Sequence, residues 1–115
     1  SKPLNQASQP VSPGQIESHY APRATVRLNA EDKRQNEVYI GFGPSRNGLI
    51  PDFNLSEQAD LIEAAANLFA ILHEADALGT ATIAFGPIPM AGLGLAINDR
   101  ISRAAAPRPS PFLGA

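Results

Sequence analysis

A histidine, a phenol, two hydroxyls and a glycine lie together in the segment from Ser12 to Pro22. Prolines near both of its ends favour extended backbone, because proline fixes φ and disfavours helix in the preceding residue. Binding residues concentrate on such loops, so His19 and Tyr20 are candidates for ligand contact. With one histidine nearby and no acid placed to orient it, no Ser/His/Asp arrangement can be argued. A plain surface linker is the alternative.

The turn from Gly92 to Asn98 is a second candidate, since it follows a strand-like segment and precedes a helix-like one. Two such glycines can open a dinucleotide-binding turn, where backbone approaches pyrophosphate at a helix N-terminus. Ile97 stands where that pattern needs its third glycine, and no acidic residue follows at the usual distance of about 20 residues. A tight turn that brings the last helix close to the sheet is therefore favoured over a phosphate site.

The last helix carries a polar side made of Asn98, Asp99, Arg100 and Arg103. Asp99 and Arg103 are four residues apart, so they can form a surface ion pair worth about 0.3–0.5 kcal/mol. This side is either solvated or a docking face for a partner domain. His73, late in the preceding helix, has no companions at ligand spacing, so we expect no metal site there.

The overall composition excludes several classes of protein. The chain has 115 residues, the size of one domain, and no cysteine, which fits a cytoplasmic location. Its net charge is −2 with Lys and Arg scattered, so direct nucleic-acid binding is not expected. No apolar run approaches the roughly 20 residues of a membrane helix, and the polar N-terminal stretch is unlike a signal peptide. We expect Ser1 to lie inside a longer protein.

Three short strands are predicted after the linker. Residues 25–28 alternate around β-branched side chains, 37–42 form a second apolar run, and 53–55 form a brief third strand. The polar stretch 29–36 is short for a crossover helix, so we expect a compact turn or one helical turn there. The sheet is then expected to be small or mixed.

The long helix gives the strongest local signal. Ser56 is its predicted N-cap, and Glu57 and Asp60 place negative charge near the positive end of the helix dipole. Gly79 is predicted at the C′ position, after a helix that ends near Leu78. The predicted buried face consists of Leu61, Ala65, Leu68, Leu72 and Ala75, widened by Ile62, Ala66 and Phe69.

The end of the chain completes an α/β pattern. Residues 80–85 are almost wholly apolar, as in a strand buried in a parallel sheet, and the last helix is predicted over 95–105. This order of elements predicts a layered α/β fold with mostly parallel pairing and right-handed crossovers. We assign residues 1–23 to an extended linker or lid segment, 24–108 to the domain and 109–115 to a C-terminal tail.

Three groups of residues together resemble one known family. The linker contributes a Ser-Pro-Gly step at 12–14 and a His-Tyr-x-Pro step at 19–22, as in the linker of the two-domain threonylcarbamoyl-AMP synthases. The resemblance runs from Ser12 to about Ala106, with the motifs in the family's order. The other matching stretches are 64–72 with Asp76 in the long helix, and 92–94, 96–100 and 103–105 in the closing motif.

The resemblance implies a small Rossmann-like α/β unit, its sheet flanked by helices, that accompanies a YrdC-type N-terminal catalytic domain of the same chain. In that family the catalytic domain is a nucleotidyltransferase that uses ATP, Mg²⁺, threonine and bicarbonate to make threonylcarbamoyl-AMP. The product serves the threonylcarbamoyladenosine modification of certain tRNAs. The resemblance implies that this chain alone is not catalytic, binds no cofactor tightly and meets tRNA only through the product.

The resemblance also gives roles to the linker residues. His19 and Tyr20 would contact the nucleotide as part of a lid, with Ser12, Gly14 and Pro22 shaping the segment. Residues that bind ATP, Mg²⁺ or threonine cannot be assigned, because the catalytic domain is absent from this sequence. Two alternatives are an independent nucleotide-sensing α/β module built on the glycine turn, and a scaffold that fixes domain orientation or dimerises.

Overall fold

The computed structural model describes residues 21–105, which form one parallel sheet and two helices. Within this range, neither helix is long and apolar enough to cross a membrane. The strands are β1 (Thr25–Arg27), β2 (Glu37–Gly41), β3 (Phe53–Asn54) and β4 (Thr82–Phe85), and the helices are α1 (Leu61–Ala77) and α2 (Leu93–Ala105).

The sheet has the strand order β1-β4-β2-β3, and every described pairing is parallel. The last strand therefore inserts between the first two, with Ile83 opposite Val26 on one side and Val38 on the other. This confirms the predicted α/β fold with mostly parallel pairing, and of the two alternatives, a small or a mixed sheet, the described strands form a small one. Parallel strands need crossover connections, which explains why α1 lies between β3 and β4.

Both helices pack on the same face of the sheet. Val38 and Ile40 of β2 and Ile83 and Phe85 of β4 alternate towards this face, as the two-residue period of a strand requires. Burying these side chains against the helices supplies most of the apolar core. The helices and loops contribute Leu55, Ala64, Leu68, Leu72, Ala75, Ile88, Ile97 and Ile101 to the same cluster.

On the opposite face of the sheet, the residues between 21 and 105 supply two loops and no helix. Ala30, from the connection between β1 and β2, packs on Tyr39 and Ala84, and it accepts a 2.7 Å hydrogen bond from the Tyr39 hydroxyl. Leu49 packs on the same cluster from a tight turn whose central residues, Asn47 and Gly48, both have positive φ. The helices therefore flank the sheet on one side only.

The start of α1 differs from the sequence prediction. Asp60, not Ser56, is the N-cap, and its carboxylate accepts hydrogen bonds from the amides of Ile62 and Glu63. Ser56 is buried four residues earlier, where its hydroxyl accepts from the Asp60 amide and donates to the Glu63 carboxylate. The helix start is thus shifted because Ser56 supports the N-cap residue and not the first helical turn.

The remaining boundaries agree with the predictions to within two residues. Gly79 has φ +77° after the C-cap Leu78, so its predicted C′ role is confirmed. The strand predicted from residue 80 begins at Thr82, and the helix predicted from residue 95 begins at Leu93. The long-helix stripe is narrower than predicted, because Ile62 and Ala66 face solvent.

Candidate functional site

The predicted lid residues divide at the edge of the described structure. Pro22 is described and buried. Ser12, Gly14, His19 and Tyr20 lie outside the described residues. The structure therefore places the point at which the linker joins the domain and leaves the proposed contacts of His19 and Tyr20 as predictions.

The linker joins the domain through a pair of hydrogen bonds to Asp76. The amides of Arg23 and Ala24 donate to its two carboxylate oxygens at 3.1 Å and 3.0 Å. One residue later, the Thr25 amide donates to the Ala81 carbonyl at 2.9 Å, which starts the pairing of β1 with β4. Two amides, one buried carboxylate and a buried proline thus fix the direction in which the chain enters the domain.

Asp76 occupies a position that a helix by itself disfavours. It lies in the last turn of α1, where the dipole repels negative charge, and only 8% of its surface is exposed. Hydrogen bonds from two amides offset that cost, since a buried carboxylate needs several donors. The family resemblance in the sequence included Asp76 but gave no role for it. An acid in the last helical turn was the signal that could have identified the contact.

A groove of about 250 Å³ runs between α1 and α2. Its walls are apolar except for Arg100, and three alanines leave the space between the helices open. We call it the α1–α2 groove. It is lined by Ala65, Leu68, Phe69, Leu72, Leu93, Ala96, Ile97, Arg100, Ile101 and Ala104.

The four docking candidates on α2 do not share one environment. Asp99 and Arg103 form the predicted exposed ion pair, with 3.1 Å between Oδ2 and Nη2. Arg100 lines the groove beside apolar residues. The amide group of Asn98 donates to the carbonyls of Gly94 at 2.8 Å and Ile88 at 3.0 Å. Asn98 therefore ties the loop before α2 to the helix, Asp99 and Arg103 face solvent, and Arg100 borders the groove.

The glycine turn before α2 is a packing turn. A Cβ atom on Gly94 would lie 2.0 Å from the Pro89 carbonyl oxygen, so only glycine allows this close approach. The Gly94 and Leu95 amides donate to the carbonyls of Ala91 and Gly92, both at 3.0 Å. Amides engaged in this way are not free for a phosphate. The geometry agrees with the tight turn favoured from the sequence.

The crevice at the carboxyl ends of β2 and β4 is where an open parallel sheet binds ligands. The chain leaves β2 towards β3 and leaves β4 towards α2, which packs on β1 at the other side. Here protein atoms fill the crevice, since a Cβ on Gly86 would lie 2.6 Å from the Tyr39 hydroxyl oxygen and one on Gly41 3.1 Å from Pro51. The remaining space is about 30 Å³, the volume of one water molecule.

A buried ion pair braces the connection from β1 to β2. The Arg27 guanidinium donates to both Glu37 carboxylate oxygens, at 2.9 Å and 2.8 Å, and also contacts Asp32 at 3.2 Å. The hydrogen bond from Arg27 holds the pKa of Glu37 below its usual value, although burial acts in the opposite direction. The sequence prediction missed this pair, because it forms only when the first two strands are brought into one sheet.

A second pair links the same connection to the edge of the sheet. Lys33 lies 2.8 Å from Asp52, whose carboxylate also accepts the Tyr39 amide at 2.8 Å. Burial raises the pKa of Asp52, but the Lys33 ammonium and the Tyr39 amide outweigh it, so the pKa is lowered. Burial raises the pKa of the Tyr39 phenol. These charges stabilise the loop layer, and Asp52 also lines an open depression of about 470 Å³ at the edge of the sheet.

His73 lies against an aromatic ring. Its centroid is 4.4 Å from that of Phe69, in an edge-on arrangement. Within residues 21–105, no group of three or more His, Asp or Glu side chains is placed to hold a metal ion. The position is that of a packing histidine.

Together, a parallel four-stranded sheet, helices on one face, a filled ligand crevice and an anchored linker define a small Rossmann-like α/β domain. The family model described as threonylcarbamoyl-AMP synthase, C-terminal domain, matches residues 1–106, and the chain belongs to that family. No curated protein and no solved structure gives a significant match.

Proposed function

We propose that this chain is the accessory domain and active-site lid of a cytoplasmic, ATP-dependent synthase. The parent enzyme makes threonylcarbamoyl-AMP from threonine, bicarbonate and ATP and releases pyrophosphate, and its product serves tRNA threonylcarbamoyladenosine modification. A YrdC-type N-terminal domain of the same chain performs the chemistry. ATP and Mg²⁺ bind mainly to that domain, and the acidic residues of 21–105 do not cluster into a cation site. The family match supports this assignment.

The observation that supports the lid proposal is that the C-terminal end of the linker is anchored to the domain. Pro22 is buried, and the Arg23 and Ala24 amides are held by Asp76 at the end of a helix packed into the core. A lid works only if one end is held while the other moves, since closure must return the same residues to the same place. The junction gives the linker such an end.

The proposed chemistry of the lid follows from the instability of the intermediate. A threonine carbamate decomposes in water, so covering the cleft protects it until it reacts with ATP. In this proposal His19 and Tyr20 contact the nucleotide, Ser12 and Gly14 shape the segment, and Pro22 fixes where it begins. The rival nucleotide-sensing module has less support, because the Gly94 and Leu95 amides of its turn already donate to backbone carbonyls. Tyr39 occupies the crevice at the ends of β2 and β4.

Pyrophosphate release tests the proposal. The full-length protein should release pyrophosphate from ATP only with threonine and bicarbonate, whereas this chain alone should release none. Replacing both His19 and Tyr20 by Ala should lower turnover of the full-length protein by roughly 10²-fold or more, the scale of a lost positioning contact. The matched control, Asn5→Ala with Gln9→Ala, changes the same linker away from the motif. Equal turnover in both variants would contradict the lid role, and turnover by this chain alone would contradict the accessory role.

A further inference from the structure

The turn between Arg46 and Leu49 contains a chemically reactive pair of residues. Asn47 and Gly48 are both exposed, and nothing lies within 4 Å of the position that a Cβ of Gly48 would take. Asn47 is the only asparagine of the 115-residue chain that is followed by glycine. The order matters because the backbone nitrogen that follows an asparagine can attack the asparagine side chain. Glycine, which has no Cβ, hinders that attack least.

The reaction is an intramolecular deamidation, and its only co-reactant is water. The Gly48 backbone nitrogen loses its proton and bonds to Cγ of Asn47, and the side-chain nitrogen leaves as ammonia. The product is a cyclic succinimide, which water opens in one of two ways. Cleavage of the new bond to Cγ gives aspartate. Cleavage of the original peptide bond gives isoaspartate, whose backbone runs through Cβ and is longer by one methylene group.

The folded turn holds the two reacting atoms apart. Asn47 and Gly48 both have positive φ, and the Leu49 amide donates to the Arg46 carbonyl at 2.8 Å. These features define a type I′ turn. In such a turn the backbone nitrogen of the glycine points away from the asparagine side chain, so ring closure requires rotation about the asparagine Cα–C bond. The turn must therefore open before Asn47 can react.

A half-buried leucine anchors this turn to the sheet. Leu49 packs on the cluster of Ala30, Tyr39 and Ala84, whereas the next residue, Ile50, is 78% exposed. A segment held mainly by one partly buried side chain and one backbone hydrogen bond opens at a lower free energy than the core. When opening and closing are fast, the rate of a slow reaction follows the population of the open state. The packing of Leu49 should therefore control how often Asn47 can react.

We propose that Asn47 is a site of spontaneous deamidation in the folded protein and that Leu49 controls its rate. The isoaspartyl product lengthens the turn, breaks its closing hydrogen bond and draws Leu49 away from Tyr39. The modification thus loosens the loop layer and leaves the helical face of the sheet in place. No substrate or catalytic domain takes part, so this proposal and the pyrophosphate test of the proposed function succeed or fail independently.

Mass spectrometry of the aged chain tests the site. The purified chain is incubated in mildly alkaline buffer and digested with pepsin in acid, where deamidation is slow, and conversion of amide to acid is measured at each asparagine. Asn29 and Asn36 are internal controls, because they also have positive φ but are not followed by glycine. Conversion should be fastest at Asn47, and a protease that cleaves before aspartate but not before isoaspartate should leave part of the product uncut. Conversion at Asn47 no faster than at the two controls would overturn the proposal.

Alanine variants show whether Leu49 controls the rate. Leu49→Ala should speed conversion at Asn47 about threefold to tenfold, because loss of its apolar contact raises the open population. Leu49→Val, a smaller change, should give an intermediate rate, and Ile50→Ala, which removes an exposed side chain, should leave the rate unchanged.

Unfolded samples separate the effect of the anchor from that of the local sequence. Circular dichroism identifies the variants that are folded, and each is also aged in urea, where no turn remains and all the rates should be equal. Equal rates in the folded Leu49 variants and Ile50→Ala would overturn the control by Leu49. A difference that persists in urea would overturn it as well, because it would assign the rate to the local sequence.

Discussion

Asp76 shows how one side chain can join two parts of a chain. Its carboxylate lies in the last turn of α1, against the helix dipole, and its partners are amides more than fifty positions earlier in the sequence. Nothing local to the helix explains an acid there, whereas the junction with the linker does. The residue therefore belongs to the attachment of the linker more than to the helix.

Replacing Asp76 by Asn is expected to destabilise the isolated chain by about 1.5–3 kcal/mol. The change keeps one acceptor oxygen but places an amide group against the second backbone N–H, which loses a charge-assisted hydrogen bond. Urea unfolding followed by circular dichroism measures the loss. The control is Asp99→Asn, which breaks only an exposed ion pair and should cost less than about 0.5 kcal/mol. Equal effects would contradict the assigned role of Asp76.

Glu37 and Asp52 predict how stability depends on pH. Both have a pKa lowered in the folded state, by Arg27 and by Lys33 with the Tyr39 amide respectively. A lowered folded pKa stabilises the protein above the unfolded values of about 4.3 and 3.9, and that contribution is lost as pH falls through the folded pKa. The urea midpoint should therefore fall as the pH is lowered below about 4.5.

The variants Glu37→Gln and Asp52→Asn test this pH dependence. Each should be less stable than the parent at neutral pH, because Arg27 or Lys33 loses its counter-charge. Each should also show a flatter decline in acid. Asp99→Asn, which breaks only an exposed ion pair, is the control for the stability loss at neutral pH. An unchanged acid slope in Glu37→Gln would show that the Arg27 pair does not contribute to acid stability.

At the scale of elements, the two glycines at the start of α2, Gly92 just before it and Gly94 in its first turn, act for different reasons. Gly92 has φ +57° and open space where a Cβ would be, whereas Gly94 lies against the Pro89 carbonyl. The glycine spacing in the sequence resembles a phosphate-binding turn. In the structure, the same glycines allow α2 to pack close to the preceding loop. Asn98 completes the arrangement by donating to three carbonyls of that loop and turn.

Replacing Gly94 by Ala is expected to destabilise the domain by about 2–3 kcal/mol or more, because the added methyl group collides with backbone that cannot easily move. Gly92→Ala should cost about 1–2 kcal/mol, the penalty of a left-handed conformation without a clash. Thermal and urea unfolding of both variants measure the difference. A larger loss for Gly92→Ala would mean that backbone conformation, and not space, governs the turn.

At the scale of the whole molecule, the domain holds one end of a segment whose proposed site of action is another domain. In the full-length protein, Asp76→Asn should therefore lower turnover about 10- to 100-fold through lid misplacement, although no substrate touches Asp76. Threonine- and bicarbonate-dependent pyrophosphate release measures this, with Asp99→Asn as control. Full turnover by a folded Asp76→Asn protein would show that the junction does not position the lid.

The class of fold and most elements could be read from local pattern. Alternation predicted β1, and apolar runs predicted β2 and β4. The apolar stripe predicted α1, and Gly79 marked its end because a left-handed residue there favours glycine. The N-cap was predicted wrongly because Ser56 and Asp60 are both good capping residues, and burial of Ser56 in the loop decided between them. The predicted buried face of α1 was too wide. Periodicity shows which residues share a face of the helix, but it does not show how much of that face the neighbouring helix covers.

The sequence by itself determined the order of strands and helices and the family, and it located the segment that carries the proposed lid residues. Only the tertiary structure decided which residues that are distant in sequence come into contact. Placing β4 between β1 and β2 brings Arg27 to Glu37, fills the crevice with Tyr39 and carries Asp76 to the Ala24 amide, 52 positions away. Periodicity in the sequence shows which face of a strand or helix a residue lies on. The residue's contact partner depends on the order of the strands, and that order is selected by burial of the whole apolar core.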